Sequence, residues 1–186
     1  MTLRVLIDAC VLYPTVMREI VLGVARAGLF EPIWSARLLE EWARAAIKLG
    51  PDGELQARGE IALLRAQWPR AERPAAPGVA RRLWLPDEND IHVLAVAVDA
   101  GADMIMTLNA KDFPRGVLAE EGLERVDPDN FLMRFWADDS GVILDAATKT
   151  LATARQLSGK DWEMRALLKK ARLPRLAKAL APSKKT

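Results

Sequence analysis

Leu3-Arg4-Val5-Leu6-Ile7-Asp8 is a short apolar run closed by a carboxylate. A continuous β-branched and leucine run bounded by polar residues reads as a strand buried on both faces, the kind a parallel sheet uses. A carboxylate beside such a strand end is costly without partners, so Asp8 reads as a working group more readily than as a turn cap. The same junction recurs further along the chain. Asp90 opens the apolar run of Ile91, Val93, Leu94, Ala95, Val96 and Ala97, and Asp112 follows the strand-like Met104-Ile105-Met106-Thr107-Leu108-Asn109. In an open α/β sheet, functional groups collect at the carboxyl ends of strands, so these distant acids are expected to converge.

Working outward, strands and helices alternate, which predicts βαβ units around a mostly parallel sheet. Thr15 to Ala27 carries Val16, Ile20, Val21 and Val24 at helical spacing and ends at Gly28. A strand over Phe30 to Trp34 follows, then Ser35 as N-cap of a helix from Ala36 to Leu49 that Gly50-Pro51 stops. Glu54 to Trp68 reads as a further helix, and Pro69 to Gly78, with three prolines, as a loop or lid. Asp90 to Ala100 is expected helical, Met104 to Leu108 and Leu123 to Val126 extended. Phe131 to Trp136, Val142 to Leu157 and Trp162 to Leu180 are expected helical, the last interrupted at Pro174.

The 186 residues suit one sizeable core with an appendage, residues 1–137 followed by a helical extension over 138–186. No apolar run reaches the ~18 residues of a membrane helix. Asp8 interrupts the N-terminal run before it could serve as a signal peptide, and a lone cysteine forms no internal disulfide, so a cytoplasmic location is expected. The charge is unevenly placed. Residues before Asp138 hold 16 basic and 20 acidic groups, those from Asp138 onward 11 and 5. After Glu163 come Arg165, Lys169, Lys170, Arg172, Arg175, Lys178, Lys184 and Lys185 with no carboxylate among them. That pattern fits a polyanion, and equally a solubilising tail; salt dependence separates the two.

Hydrolysis of a phosphodiester needs an activated water and a neutralised leaving oxygen, and divalent ions held by clustered carboxylates serve both ends. Mg²⁺ and Mn²⁺ take oxygen ligands, and with one His and one Cys the chain has no ordinary zinc set. Asp90 has a second reading as a helix cap, and Asp112 as a loop residue before Pro114. A further acid would come from Glu40 or Glu41, both off the apolar stripe of their helix; periodicity does not choose between them. Asp87, Glu88 and Asn89 beside Asp90, and Asn109 at its strand end, are suited to supporting roles. His92 and Cys10 read as packed core residues.

Four segments in order resemble the PIN-domain nucleases, the family that includes the VapC toxins of bacterial toxin-antitoxin pairs. They are Val5 to Leu12, Ser35 to Glu41, Asp87 to Ala95 and Thr107 to Pro114, within a match from about Leu3 to Phe135. The resemblance implies a Rossmann-like α/β fold with a mostly parallel sheet flanked by helices, to which the C-terminal helical extension is added. It implies Mg²⁺ or Mn²⁺ held by Asp8, Glu41, Asp90 and Asp112, Glu41 being preferred to Glu40 because it lies six residues after Ser35. Asn109, Asp87 and Glu40 would stand behind these ligands. It also implies RNA cleavage, an antitoxin partner and a homodimer. Where the family often carries Ser or Thr two or three residues after the first aspartate, this chain has Cys10 and Val11.

The resulting expectation is a metal-dependent endoribonuclease whose Lys169, Lys170, Arg172 and Arg175 grip the RNA backbone. A non-catalytic RNA-binding module would keep the basic extension without cleavage. A phosphoryl-accepting receiver domain would need paired acids after the first strand, where Ala9 and Cys10 stand instead.

Overall fold

Short β-branched runs separated by amphipathic segments can bury both faces only by pairing side by side beneath helices. A computed structural model describes Thr2 to Ala181 and shows that solution. Its strands are β1 (Leu3–Ile7), β2 (Phe30–Ser35), β3 (Glu72–Arg73), β4 (Met104–Met106) and β5 (Glu124–Val126). Its helices are α1 (Ala9–Leu12), α2 (Thr15–Arg26), α3 (Ala36–Ala45), α4 (Gly53–Gln67), α5 (Pro77–Ala80), α6 (Ile91–Asp99), α7 (Arg115–Glu120), α8 (Pro128–Ser158), α9 (Met164–Lys170) and α10 (Pro174–Ala179). Lys184 and Lys185 lie outside the described residues.

Two compact units share the chain, one holding the residues up to Tyr13 and Phe30–Val126, the other Pro14–Leu29 and the chain from Asp127 onward. The first unit is a five-stranded sheet in the order β3-β2-β1-β4-β5, with every pairing parallel. Val5, Leu6 and Ile7 of the central strand are fully buried, as continuous apolar character requires. Register sets Leu6 opposite Ile33 on one side and Ile105 on the other. From β1 the chain runs to β2 and β3 on one side, while β4 and β5 lie on the other. The carboxyl edge between β1 and β4 is therefore a switch point in strand order, where a crevice forms.

Among the local outcomes that differ from the sequence reading, three lie close to the sheet's carboxyl edge or its flanks. The proline-rich stretch from Pro69 is not all loop: Glu72–Arg73 pairs with Trp34 and Ser35 as an edge strand, and Pro74 follows it. The helix expected over 36–49 tightens into a 3₁₀ turn at Ala46–Leu49 before Gly50, whose φ of 115° ends it. Glu88–Asp90 form a separate 3₁₀ turn ahead of α6, so Asp90 closes that turn and stands at the N-cap of α6, one residue before the helix itself.

In the second unit, α2 packs on α8, burying Met17, Ile20, Val21 and Val24 with Phe131, Leu132, Ile143 and Ala147. The helices approach so closely that a Cβ on Gly23 would sit 2.8 Å from the Ala146 Cβ. The expected boundary between residues 137 and 138 falls within α8, just before Asp139, whose φ of −124° and ψ of 34° break its regularity. No helix among the described residues is long and apolar enough to cross a membrane.

Asp129, only 6% exposed, accepts hydrogen bonds from the Arg175 and Leu176 amides at 2.8 and 3.0 Å. A carboxylate from α8 thereby caps α10, whose own first residue is Pro174. Asp129→Ala leaves two amides unpaired at a buried helix start. The expected cost is about 1–2 kcal/mol, read as a Tm lower by about 2–8 °C. An unchanged Tm would show that the cap carries no weight.

Candidate metal centre

The carboxyl edge of the sheet places Asp8 immediately after β1 and Thr107 immediately after β4. The Asp8 amide continues the ladder by donating to Met106 O at 3.0 Å, which fixes the side chain at the crevice. Asp8 is 9% exposed and makes no side-chain cap bond to α1. Its Oδ2 instead accepts from Thr107 Oγ1 at 2.7 Å and from Cys10 Sγ at 3.1 Å. The hydroxyl that the sequence lacks at position 10 is thus supplied from β4's end by Thr107, with the thiol as a second donor. Burial, then the charge of Asp8, pushes the Cys10 thiol up to about 12, so it stays protonated and able to donate. Among the described residues Oδ1 of Asp8 has no hydrogen bond.

Asp87, Asp90 and Asp112 form the tightest acidic group, each offering a carboxylate oxygen within 4.8 Å of the others. The 3₁₀ turn delivers the first two. Asp87 orders that turn by accepting from the Asn89 amide at 2.9 Å and the Asn89 Nδ2 at 3.0 Å. Asp90, although it sits at the N-cap of α6, makes no capping hydrogen bond, so helix capping does not account for its identity. Asp112 accepts from Asn109 Nδ2 at 2.6 Å. Its loop is held from β5, where the Arg125 guanidinium donates to Ala110 O at 2.5 Å and Phe113 O at 2.8 Å.

Asp90 feels the whole constellation. Burial, then the charges of Asp8, Asp87, Asp112 and Glu41, pushes its carboxyl up to about 6. Like charges raise a carboxyl in this way when no cation stands among them. The two glutamates that helical spacing could not separate are divided by their partners. Glu40 is bound by Arg58 through both oxygens at 2.9 and 3.1 Å and by Arg44 at 3.1 Å, and these guanidiniums hold its carboxyl down at about 2. It belongs to an exposed ion-pair network that also takes in Glu54. Glu41 is the acid whose charge reaches Asp90.

Burial raises the Glu41 carboxyl, but His92 and Arg37 outweigh burial and hold it below its ordinary value. His92 Nε2 lies 3.0 Å from Glu41 Oε1, although neither ring nitrogen makes a hydrogen bond of good geometry. Arg37 donates to Glu41 Oε1 at 3.2 Å and to Asn89 O at 3.2 Å, tying α3 to the turn that carries Asp90. Periodicity gives no hint of either tie, because each spans segments about fifty residues apart. Lys169, Lys170, Arg172 and Arg175 are exposed in the second unit, around the turn from α9 to α10. Lys170 Nζ stands 5.0 Å from the Trp162 ring centroid, and Arg172 has a φ of 62°.

A model of the PIN domain matches residues 4–111 of the chain. The chain belongs to the PIN-domain family. The matched region includes Asp8, Glu41, Asp87, Asp90 and Asn109, and Asp112 follows it by one residue. No curated protein and no solved structure gives a match. PIN domains are generally nucleases that use divalent metals, and the acidic group of this PIN domain has the right donor chemistry. Hard carboxylate oxygens, with no His or thiolate among them, suit Mg²⁺ or Mn²⁺ over zinc.

Two measurements probe the electrostatics. Because folding raises the Asp90 carboxyl from its unfolded value near 4 to about 6, charging it opposes folding; the penalty is absent below about pH 4 and complete above pH 6. Asp90→Asn is expected to stabilise the metal-free protein by about 1–2 kcal/mol at pH 7.5, after solvent screening of a half-buried group, and to lose the advantage at pH 4. A pH-independent difference would remove the like-charge explanation. Millimolar Mn²⁺ is expected to raise the wild-type Tm at pH 7.5, and that of Asp90→Asn by much less. Equal shifts would place the bound ion elsewhere.

Proposed function

We propose that this PIN domain is a divalent-metal-dependent endoribonuclease in which Asp8, Asp90, Asp112 and Glu41 form the catalytic acid set, with Asp87 as a further ligand. The observation that carries the reading is the convergence of Asp87, Asp90 and Asp112, whose carboxylate oxygens lie within 4.8 Å of one another, with the charges of Asp8 and Glu41 also reaching Asp90. A bound Mg²⁺ or Mn²⁺ supplies positive charge to the scissile phosphate and makes a water acidic enough to attack at neutral pH. The chain's own groups set the geometry for that chemistry. Thr107 and Cys10 occupy Oδ2 of Asp8 and leave Oδ1 without a hydrogen bond among the described residues. Asn109 orients Asp112, and Arg37 with His92 holds Glu41 against the Asp90 turn. No covalent intermediate is needed: water attacks the phosphorus in line and the bond to the 3′-oxygen breaks.

The RNA backbone would be gripped by Lys169, Lys170, Arg172 and Arg175, whose exposed cations have few acidic neighbours in the sequence. The likeness to VapC toxins adds a role in a toxin-antitoxin pair, with an antitoxin protein as inhibitor and a homodimer as the assembled form.

The test is cleavage of mixed labelled RNAs, and of DNA of the same sequences, by wild type, Asp8→Asn and Asp90→Asn in Mn²⁺, Mg²⁺ or EDTA. Wild type should cut internal positions in RNA with metal only, and each variant should fall by about a hundredfold or more while remaining folded. Binding without cleavage, equal in the three proteins, would replace the reading with that of a non-catalytic RNA-binding module.

A further inference from the structure

We propose that Trp84 is a stacking platform for an unpaired base beside the acidic site, so that the substrate is single-stranded there. The proposal rests on the nuclease reading above and deepens it. The chain has four Phe, six Trp and one Tyr, all within the described residues, and Trp84 alone among them is exposed, at 63%. An indole left in water forgoes a large burial energy, and its place beside the clustered acids, not its exposure alone, sets it apart from the apolar side chains scattered over the surface.

Its place in the chain says what covers it. The segment Leu83-Trp84-Leu85-Pro86-Asp87 is irregular between α5 and the 3₁₀ turn that begins at Glu88. Leu85 is 1% exposed, so the segment is pinned to the core on one side while its neighbour projects into solvent. That anchorage holds the Trp84 backbone in a fixed position relative to Asp87, one of the three clustered acids. Three residues of chain span at most ~11 Å, which keeps the Trp84 backbone beside the acidic group. A nucleic-acid strand whose phosphate lies at the acids, and which leaves them on the Trp84 side, comes within reach of the indole.

Stacking on tryptophan suits any base, because every base has a π-face, but it requires that the face be free. Bases inside a duplex are already stacked and cannot offer it. Arg81, exposed in the same segment, adds a cation near the path of the strand, whereas Arg82 is committed to Glu121 at 2.7 and 2.8 Å. A protein partner seated on Trp84 is the competing use of the same ring, and it would respond to apolar bulk rather than to an aromatic face.

The experiment compares the full-length wild type with Trp84→Ala, Trp84→Phe and Trp84→Leu. Steady-state cleavage is measured on a single-stranded RNA and on the same sequence annealed into a duplex, in Mn²⁺, over a range of salt. Tryptophan emission is followed during titration with the single strand in EDTA. The expected result is a KM on the single strand raised about 5- to 150-fold by Ala and by Leu, with kcat and the salt slope little changed and most of the loss restored by Phe. Wild-type emission should be quenched by the strand, and the quenching should disappear in Trp84→Phe. Wild-type cleavage that none of the substitutions alters would overturn the platform and leave the nuclease reading standing. Full rescue by Leu would overturn it, because apolar bulk and not an aromatic face would then be what the strand requires. A wild type that neither binds nor cuts nucleic acid would remove both readings together.

Discussion

The parallel pairing of β1 with β4 is the constraint on which the rest of the site depends. It continues past the end of the strand through the Asp8 amide to Met106 O, and this extra rung brings the Asp8 carboxylate against Thr107. Because the chain leaves β1 toward β2 on one side while β4 closes the other, the carboxyl edge opens at this seam. The turn carrying Asp87 and Asp90, and the loop carrying Asp112, come to the same edge. Their side chains need no proximity in sequence, only strands that end together.

Charge is distributed around that seam unequally. Glu40 is neutralised by Arg58 and Arg44, and Glu41 is held by Arg37 and His92. Among the described residues no cation pairs with Asp8, Asp87, Asp90 or Asp112. The peripheral glutamates can keep their charge cheaply, whereas Asp90, surrounded by acids, holds its proton toward neutral pH. Such an arrangement costs stability in the metal-free protein, and a divalent cation is the partner whose charge would relieve it. The donors on Asp8 and Asp112 are neutral, so they orient the carboxylates without cancelling their negative field.

Orientation without neutralisation also explains why Cys10 serves where a hydroxyl is more usual. A thiol is a weak donor, but one kept protonated by burial and by Asp8 itself remains a donor throughout the physiological range. Thr107 supplies the shorter hydrogen bond to the same oxygen and takes the larger share of the positioning. Arg37 and Arg125 then join elements that carry acids, so that α3, the Asp90 turn and the Asp112 loop hold a fixed relation.

Strand and helix periods are local properties, and for that reason the alternation around a parallel sheet was legible in the sequence, as was the placing of Asp8, Asp90 and Asp112 at the ends of apolar runs. The absence of a zinc-type ligand set was legible too, from composition alone. Helical periodicity did not select between Glu40 and Glu41, which only the family's spacing after Ser35 favoured, since adjacent helical residues point about 100° apart and the packing of α3 decides which one faces the acids. Likewise Asp87 read as an outer neighbour, yet the 3₁₀ turn at Glu88 folds its carboxylate into the group of three. The donation from Thr107 to Asp8 spans 99 residues, and the edge strand within the proline-rich stretch exists only because β2 offers it an open side. The sequence by itself determined most of the strands and helices and that carboxylates lie at their ends; tertiary structure decided which of those carboxylates meet, because distances through space are set by the pairing of remote segments, and no local period records that pairing.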